Sequence, residues 1–141
     1  MNVEYRSDCH NIDWPALKAS LSADDFDNGR TPEQLQKSFE NSKGVCTAWC
    51  DGKIVGTARV LSDSVCNAYL VDVWTKSDLR RQGIARAMIE RLLGHLRGQH
   101  VYLQADEELA DFYRRLGFSA QPVGMSQIVG TWLLNDSVRP G

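Results

Sequence analysis

The stretch Asp78–Leu96, DLRRQGIARAMIERLLGHL, decides how this chain is read. Ile84 or Ala85, Met88, Ile89, Leu92 and Leu96 recur at helical spacing and form one apolar stripe. Arg86, Glu90 and Arg91 fall on the opposite face, and Gly98 supplies a stop. The spacing predicts an amphipathic helix packed on a sheet. Its mouth carries Arg80, Arg81 and Gly83, just where backbone N–H groups lack intrahelical acceptors and the helix dipole is positive. With Gly83 letting the backbone come close, amides from Arg81 through Gln82, Gly83 and Ile84 to Ala85 can wrap phosphate oxygens, and Arg80 or Arg81 can add charge-assisted bonds. The alternative is an ordinary connection with surface arginines, and R-x-x-G-x-A alone does not separate the two.

Working outward, NAYLVDVWT (67–75) precedes this motif and is apolar on both faces except for Asp72, the pattern of a central strand. Before it, VCTAWCDGKIVGTARVLSD is rich in β-branched and aromatic residues and contains Asp51-Gly52, a two-residue hairpin signal. VEYR from Val3 predicts a first strand. DWPALKASLS and TPEQLQKSFENS predict two helices, capped by Asp13 and Thr31, with Pro15 and Pro32 in their first turns. After the opening helix, VYLQ predicts a short strand, and Asp106 begins a helix whose stripe is Leu109, Phe112 and Leu116 and whose stop is Gly117. GFSA and MSQIVGTWLL are expected as closing strands. The chain reads as one mixed α/β (α+β) domain spanning residues 1–141, with no internal repeat or linker.

Composition narrows the function classes. A net charge of −2 gives no long-range attraction to nucleic acid or anionic membrane, so any basic feature must act locally. A nucleic-acid-binding reading of the arginine cluster is disfavoured on the same ground. No apolar run approaches the ~20 residues of a membrane span, and a start without signal-peptide order leads to the expectation of a cytoplasmic protein. Cys9, Cys46, Cys50 and Cys66 form no C-x-x-C pair and the three histidines are scattered, so no metal site is expected and the cysteines read as free thiols.

Over roughly Val45 to Leu133 the chain resembles the GCN5-related N-acetyltransferase (GNAT) family. The resemblance rests on RRQGIA, with Arg80, Gly83 and Ala85 in the family's R/Q-x-x-G-x-G/A signature, and on FYRRLGF from Phe112 to Phe118. It implies a mostly antiparallel sheet, flanked by about four helices and splayed between its fourth and fifth strands around the pantetheine of acetyl-CoA. The backbone of Val73 and Thr75 would pair with the pantetheine, Arg80 to Ala85 would hold the pyrophosphate, and Tyr113 would protonate the departing thiolate. A hydroxyl of pKa ~10 is protonated at neutral pH and can donate to a thiolate of pKa ~8.5; the competing reading of Tyr113 is a core aromatic. Three positions depart from the family pattern: Glu107 stands where asparagine is frequent, Arg81 where glycine is frequent, and Thr75 where an aliphatic residue is usual.

The implied reaction is acetyl transfer to a primary amine of a small molecule or peptide by direct attack, with neither a metal nor a covalent enzyme intermediate. The alternative is a non-catalytic acyl-CoA-binding regulatory module of the same fold. For the acceptor, Asp72 and Tyr69 are candidates to accept its proton, directly or through water. Strand alternation separates them unless a bulge intervenes, and Asp72 also reads as a satisfied structural carboxylate. In SADDFDNGR, between the first two helices, Asp24, Asp25 and Asp27 either face a cationic substrate beside Phe26 or belong to a solvated connector. The apolar run IVGTWLL suggests a homodimer.

Overall fold

The computed structural model describes residues 1–133. Five strands, β1 (Glu4–Arg6), β2 (Gly44–Cys50), β3 (Lys53–Ser62), β4 (Asn67–Thr75) and β5 (His100–Tyr102), lie side by side in chain order. The first four are antiparallel neighbours and β5 runs parallel to β4. Four helices accompany them: α1 (Trp14–Ala23), α2 (Pro32–Glu40), α3 (Ile84–Leu93) and α4 (Ala110–Arg115). This is the α+β arrangement expected from the resemblance.

Local chemistry explains the helix starts. Asp13 accepts from the Ala16 amide, and Thr31 closes a reciprocal capping box with Gln34, each followed by a proline whose missing N–H costs a first turn nothing. At the β2–β3 hairpin Asp51 and Gly52 both have positive φ, 52° and 75°, as a two-residue turn of matching twist requires.

The sheet carries a core on each face. Adjacent residues of β2 divide between them: Cys46 packs with Ile84, Met88, Ile89 and Leu92 of α3, whereas Val45 packs with Leu17 and Leu21 of α1 and Leu35 and Phe39 of α2. Burying each such side chain contributes about 1.5–3 kcal/mol, so docking rather than propensity holds these short helices.

Two irregularities set the geometry of β4. Thr57 pairs with Trp74 but Arg59 pairs with Val71, so β4 holds one extra residue and Asp72 adopts φ 55°. The bulge exchanges the faces: Ala68 and Leu70 lie in the α3 core, Val73 packs against that same core, and Trp74 joins the core under α1 and α2. Second, β4 and β5 pair only from Asn67–Tyr69 to His100–Tyr102, so from Leu70 to Thr75 one edge of β4 has no partner strand. The sheet is splayed there, as expected.

Three expectations are corrected. Helix α3 ends at Leu93, with Gly94 and not Gly98 as its stop, although Leu96 remains buried in the turn that follows. The last helix opens with a 3-10 turn, Glu107–Leu109, and buries Tyr113 rather than Leu109, which is 44% exposed. GFSA and the described part of MSQIVGTWLL form no strand; Leu134 lies outside the described residues. Val123, Met125 and Val129 are exposed, and β-branched composition makes a strand only where a sheet edge takes its hydrogen bonds.

Candidate active site

Where β4 parts from β5, its end leads through a 3-10 turn (Ser77–Leu79) into the mouth of α3. Arg81 and Gly83 both take left-handed backbone, φ 63° and 83°, with Gln82 between them. Gly83 is the N-cap of α3 and no side chain caps the helix. Its first-turn amides therefore keep their donors free, and a Cβ at Gly83 would find no protein atom within 4 Å. Arg81, Gln82 and Gly83 are exposed. Arg80 folds back, its Nε donating to the Thr75 carbonyl at 3.2 Å, which ties the loop to the end of β4 and leaves the rest of the guanidinium available. The left-handed φ at Arg81 gives a physical reason for glycine at that position in the resembling pattern.

Thr75 sits opposite Gly56 across β3 and β4, and a Cβ on Gly56 would touch Met88 and Ile84. Cross-strand partners share a face, so Thr75 points to the α3 side. Among the described residues its Oγ1 is the buried side-chain polar atom without a hydrogen-bond partner. An orphaned hydroxyl beside the unpaired edge of β4, next to a turn of free amides, fits an extended, amide-containing ligand ending in phosphates.

Tyr113 belongs to the α3-side core, with Phe112 and Phe118 edge-on at 5.0 and 5.9 Å. It also lines a cavity of about 460 Å³ between β5, α4 and the segment after Gly117. Burial raises its phenol above the ordinary value, so the proton stays on at neutral pH.

The bulge puts Asp72 on the same face as Tyr69, that of α1 and α2, opposite the α3 side. Asp72 does not fit the role of proton acceptor. Arg30 holds it through two bonds, 2.8 and 3.1 Å, Arg59 donates at 2.6 Å, and the Thr57 hydroxyl donates to its carbonyl at 2.9 Å. Burial alone would raise this carboxyl, but hydrogen bonds and charge from Arg30, then Arg59, outweigh it and hold the group below the usual range. Sequence reasoning missed both arginines. A lone charge in an apolar strand signals a partner, and Arg59 on the neighbouring strand was discoverable; Arg30, 42 residues away, was not.

The acidic loop is likewise wired into the fold. Asp24 accepts from Trp74 Nε1 at 2.9 Å and from the Ser77 amide at 3.1 Å, and Asp27 pairs with Lys18. Of the three carboxylates only Asp25 is exposed; Asp24 and Asp27 are tied to the fold, which is neither of the two readings of a loop of three free aspartates. Phe26 is half-buried against the core of α1 and α2.

A splayed mixed sheet with a donor-lined turn at the head of the helix after its fourth strand is the arrangement that the resemblance implies for an acyl-CoA-dependent transferase. Residues 6–118 match the Acetyltransferase (GNAT) family, and the chain belongs to it. It is 32% identical over 124 residues to histone acetyltransferase TAP1 of Glycine max, covering 83% of this chain and 51% of that protein. It is 34% identical over 103 residues to serotonin N-acetyltransferase 2, chloroplastic, of Oryza sativa subsp. japonica, covering 66% of this chain and 50% of that protein. The chain thus spans about half the length of these curated relatives. The solved structure of glucosamine-6-phosphate N-acetyltransferase from Arabidopsis thaliana superposes with a TM-score of 0.75, covering 92% of this chain and 100% of that one; at 20% identity this likeness concerns the fold. Among the described residues no helix is long and apolar enough to cross a membrane.

Proposed function

We propose that the protein transfers an acetyl group from acetyl-CoA to a primary amine by direct attack of the amine on the thioester. The observation that carries this reading is the conjunction, on one side of the sheet, of the free amides at Arg81–Ala85, the unpaired edge of β4 and the orphaned Thr75 hydroxyl. Acetyl-CoA supplies the activated acyl group. The backbone of Val73 and Thr75 orients its pantetheine arm, and Arg80, Arg81, Gln82, Gly83, Ile84 and Ala85 bind the pyrophosphate, the amides supplying fixed dipoles and the arginines charge. Tyr113, kept protonated by burial, donates to the leaving thiolate.

On the other face Tyr69 and Phe26 border the acceptor. An alkylamine with pKa ~10.4 is neutral only about once in a few thousand molecules at pH 7, so its proton must leave before attack. Asp72, doubly ion-paired, has no role in that step, and the proton passes to bulk solvent. The relatives act, by their names, on histone and on serotonin, two acceptors of different size served by one family.

Thiol release from acetyl-CoA, followed across alkylamines, arylalkylamines, polyamines, amino sugars and lysine peptides, tests the proposal. Amine-dependent release that Tyr113→Phe suppresses supports it. Tight CoA binding without release for every amine would instead favour the regulatory acyl-CoA-binding module.

A further inference from the structure

At the end of the sheet remote from the turn at the head of α3 there is a second cavity, of about 350 Å³, between the C-terminal end of α3, the start of β2 and the end of β3 with the turn that follows it. Its wall is apolar: Cys46, Val60, Leu92 and Leu96 are buried residues of the α3-side core. Gly44 adds no side chain, and a Cβ there would already stand 3.0 Å from Val60 and 3.2 Å from Leu92. Around this wall are Lys43, Arg91 and His95, while no Asp or Glu lines the cavity.

None of these three basic residues has an ion-pair partner among the described residues. Arg91 lies over the Tyr5 ring at 4.8 Å, and its charge acts on the Cys46 thiol in the cavity wall. The neighbouring carboxylate, Asp63 in the β3–β4 turn, faces its own backbone and accepts the amides of Val65, Cys66 and Asn67. The helix dipole accounts for basic residues at the end of α3, hence for Arg91 and His95. It does not account for Lys43, which precedes β2 and converges on the same cavity.

We propose that this cavity is a second binding site, for a small anion with an apolar body: an aromatic or medium-chain monocarboxylate. The apolar wall takes the body, and Lys43, Arg91 and His95 surround the carboxylate at the rim. The volume suits a ligand of that size, within the ~300–1,000 Å³ typical of small-molecule sites. A carboxylate offers no electrophile to the Cys46 thiol in the wall, which burial pushes up to about 11 against the lowering influence of Arg91, and binding is non-covalent. The site is independent of the proposed transfer reaction.

The test is calorimetry with 4-phenylbutyrate and its neutral counterpart 4-phenylbutan-1-ol, joined to backbone amide NMR mapping on the whole chain. The carboxylate should bind saturably, at least tenfold tighter than the alcohol, and shift amides around residues 43–46 and 91–99. Lys43→Ala combined with His95→Ala changes two exposed side chains, so the fold is kept. It should weaken carboxylate binding about tenfold and leave the alcohol unchanged, while Arg97→Ala, outside the lining, should do neither. The proposal is overturned by an absence of saturable binding, by equal affinity for acid and alcohol, by shifts centred on residues 80–85, or by a double variant that binds like the parent.

Discussion

The two ends of polar chemistry along β4 differ in one respect that separates holding from binding. Asp72, at the bulge, is satisfied on side chain and backbone alike: two guanidinium groups donate to its carboxylate and a hydroxyl to its backbone carbonyl. Three residues on, Thr75 has a buried hydroxyl with none, and it leads into a turn whose amides also lack acceptors. A polar group that the fold satisfies is part of the fold, whereas a group that it leaves unsatisfied at a cost of about 1–3 kcal/mol marks where something else belongs. Both are candidate site residues in the sequence, and their partners distinguish them.

Breaking the satisfied end should have the largest effect. Asp72→Ala leaves the Arg30 and Arg59 guanidiniums in the interior, 6% and 12% exposed, without their anion, and should destabilise the fold by about 3–5 kcal/mol in urea unfolding. Because the folded carboxyl titrates below its ordinary value of 3.8, its contribution is complete above that value and fades as pH falls through the lower folded one. Parent and variant should therefore converge in stability at strongly acid pH and stand furthest apart at neutral pH. A variant within 1 kcal/mol of the parent at pH 7 would return Asp72 to the reactive groups.

Breaking the unsatisfied end should spare the fold and strike the ligand. Gly83→Asp puts a carboxylate where phosphate oxygens are expected and forces a side chain onto φ 83°, costing about 1 kcal/mol of stability but lowering CoA affinity on the order of 100-fold by calorimetry. Arg80→Ala, removing one charge and the tether to Thr75, should lower it about tenfold. Equal affinity in both variants and the parent would remove the anion-binding reading of this turn.

Between these in kind is Tyr113, which is both core and candidate acid. Tyr113→Phe keeps the ring contacts with Phe112 and Phe118 and removes only the donor. Turnover should fall about 10²-fold with CoA affinity and melting temperature nearly unchanged, if chemistry limits the rate. Loss of stability without loss of turnover would place Tyr113 wholly in the core.

How far the sequence carried this picture depends on the range of each interaction. The Asp13 and Thr31 caps, the Asp51-Gly52 turn and the apolar stripe of α3 are set by residues close in the chain, and these were legible, whereas the stop of α3 was not. The bulge at Asp72 was not, because alternation in NAYLVDVWT reads evenly and only pairing with β3 reveals the extra residue. Arg30 was invisible for the same reason, its partner lying beyond a helix and a hairpin. The acidic loop misled because composition does not say that Trp74, Ser77 and Lys18 stand ready to receive Asp24 and Asp27. The closing strands failed on the converse point: GFSA and the described part of MSQIVGTWLL have strand composition, yet a strand forms only where a neighbouring strand takes its backbone hydrogen bonds.

The smallest expected effect sharpens the comparison most, because it has opposite signs in two measurements. Thr75→Val replaces the orphaned hydroxyl by a methyl of similar shape, in a site where the hydroxyl satisfies nothing in the fold. Removing a buried polar group that lacks a partner should stabilise the ligand-free protein by about 1 kcal/mol, a rise of roughly 2–5 °C in melting temperature for a chain of this size. If the hydroxyl instead bonds the bound pantetheine, the same change should weaken CoA binding three- to tenfold by calorimetry, so that stability and affinity move apart. A stabilised variant with parental affinity would leave the hydroxyl without a ligand. A destabilised variant would mean that the fold uses it after all. Only the divergence of the two measurements supports a threonine kept at this position for what it holds rather than for what it packs against.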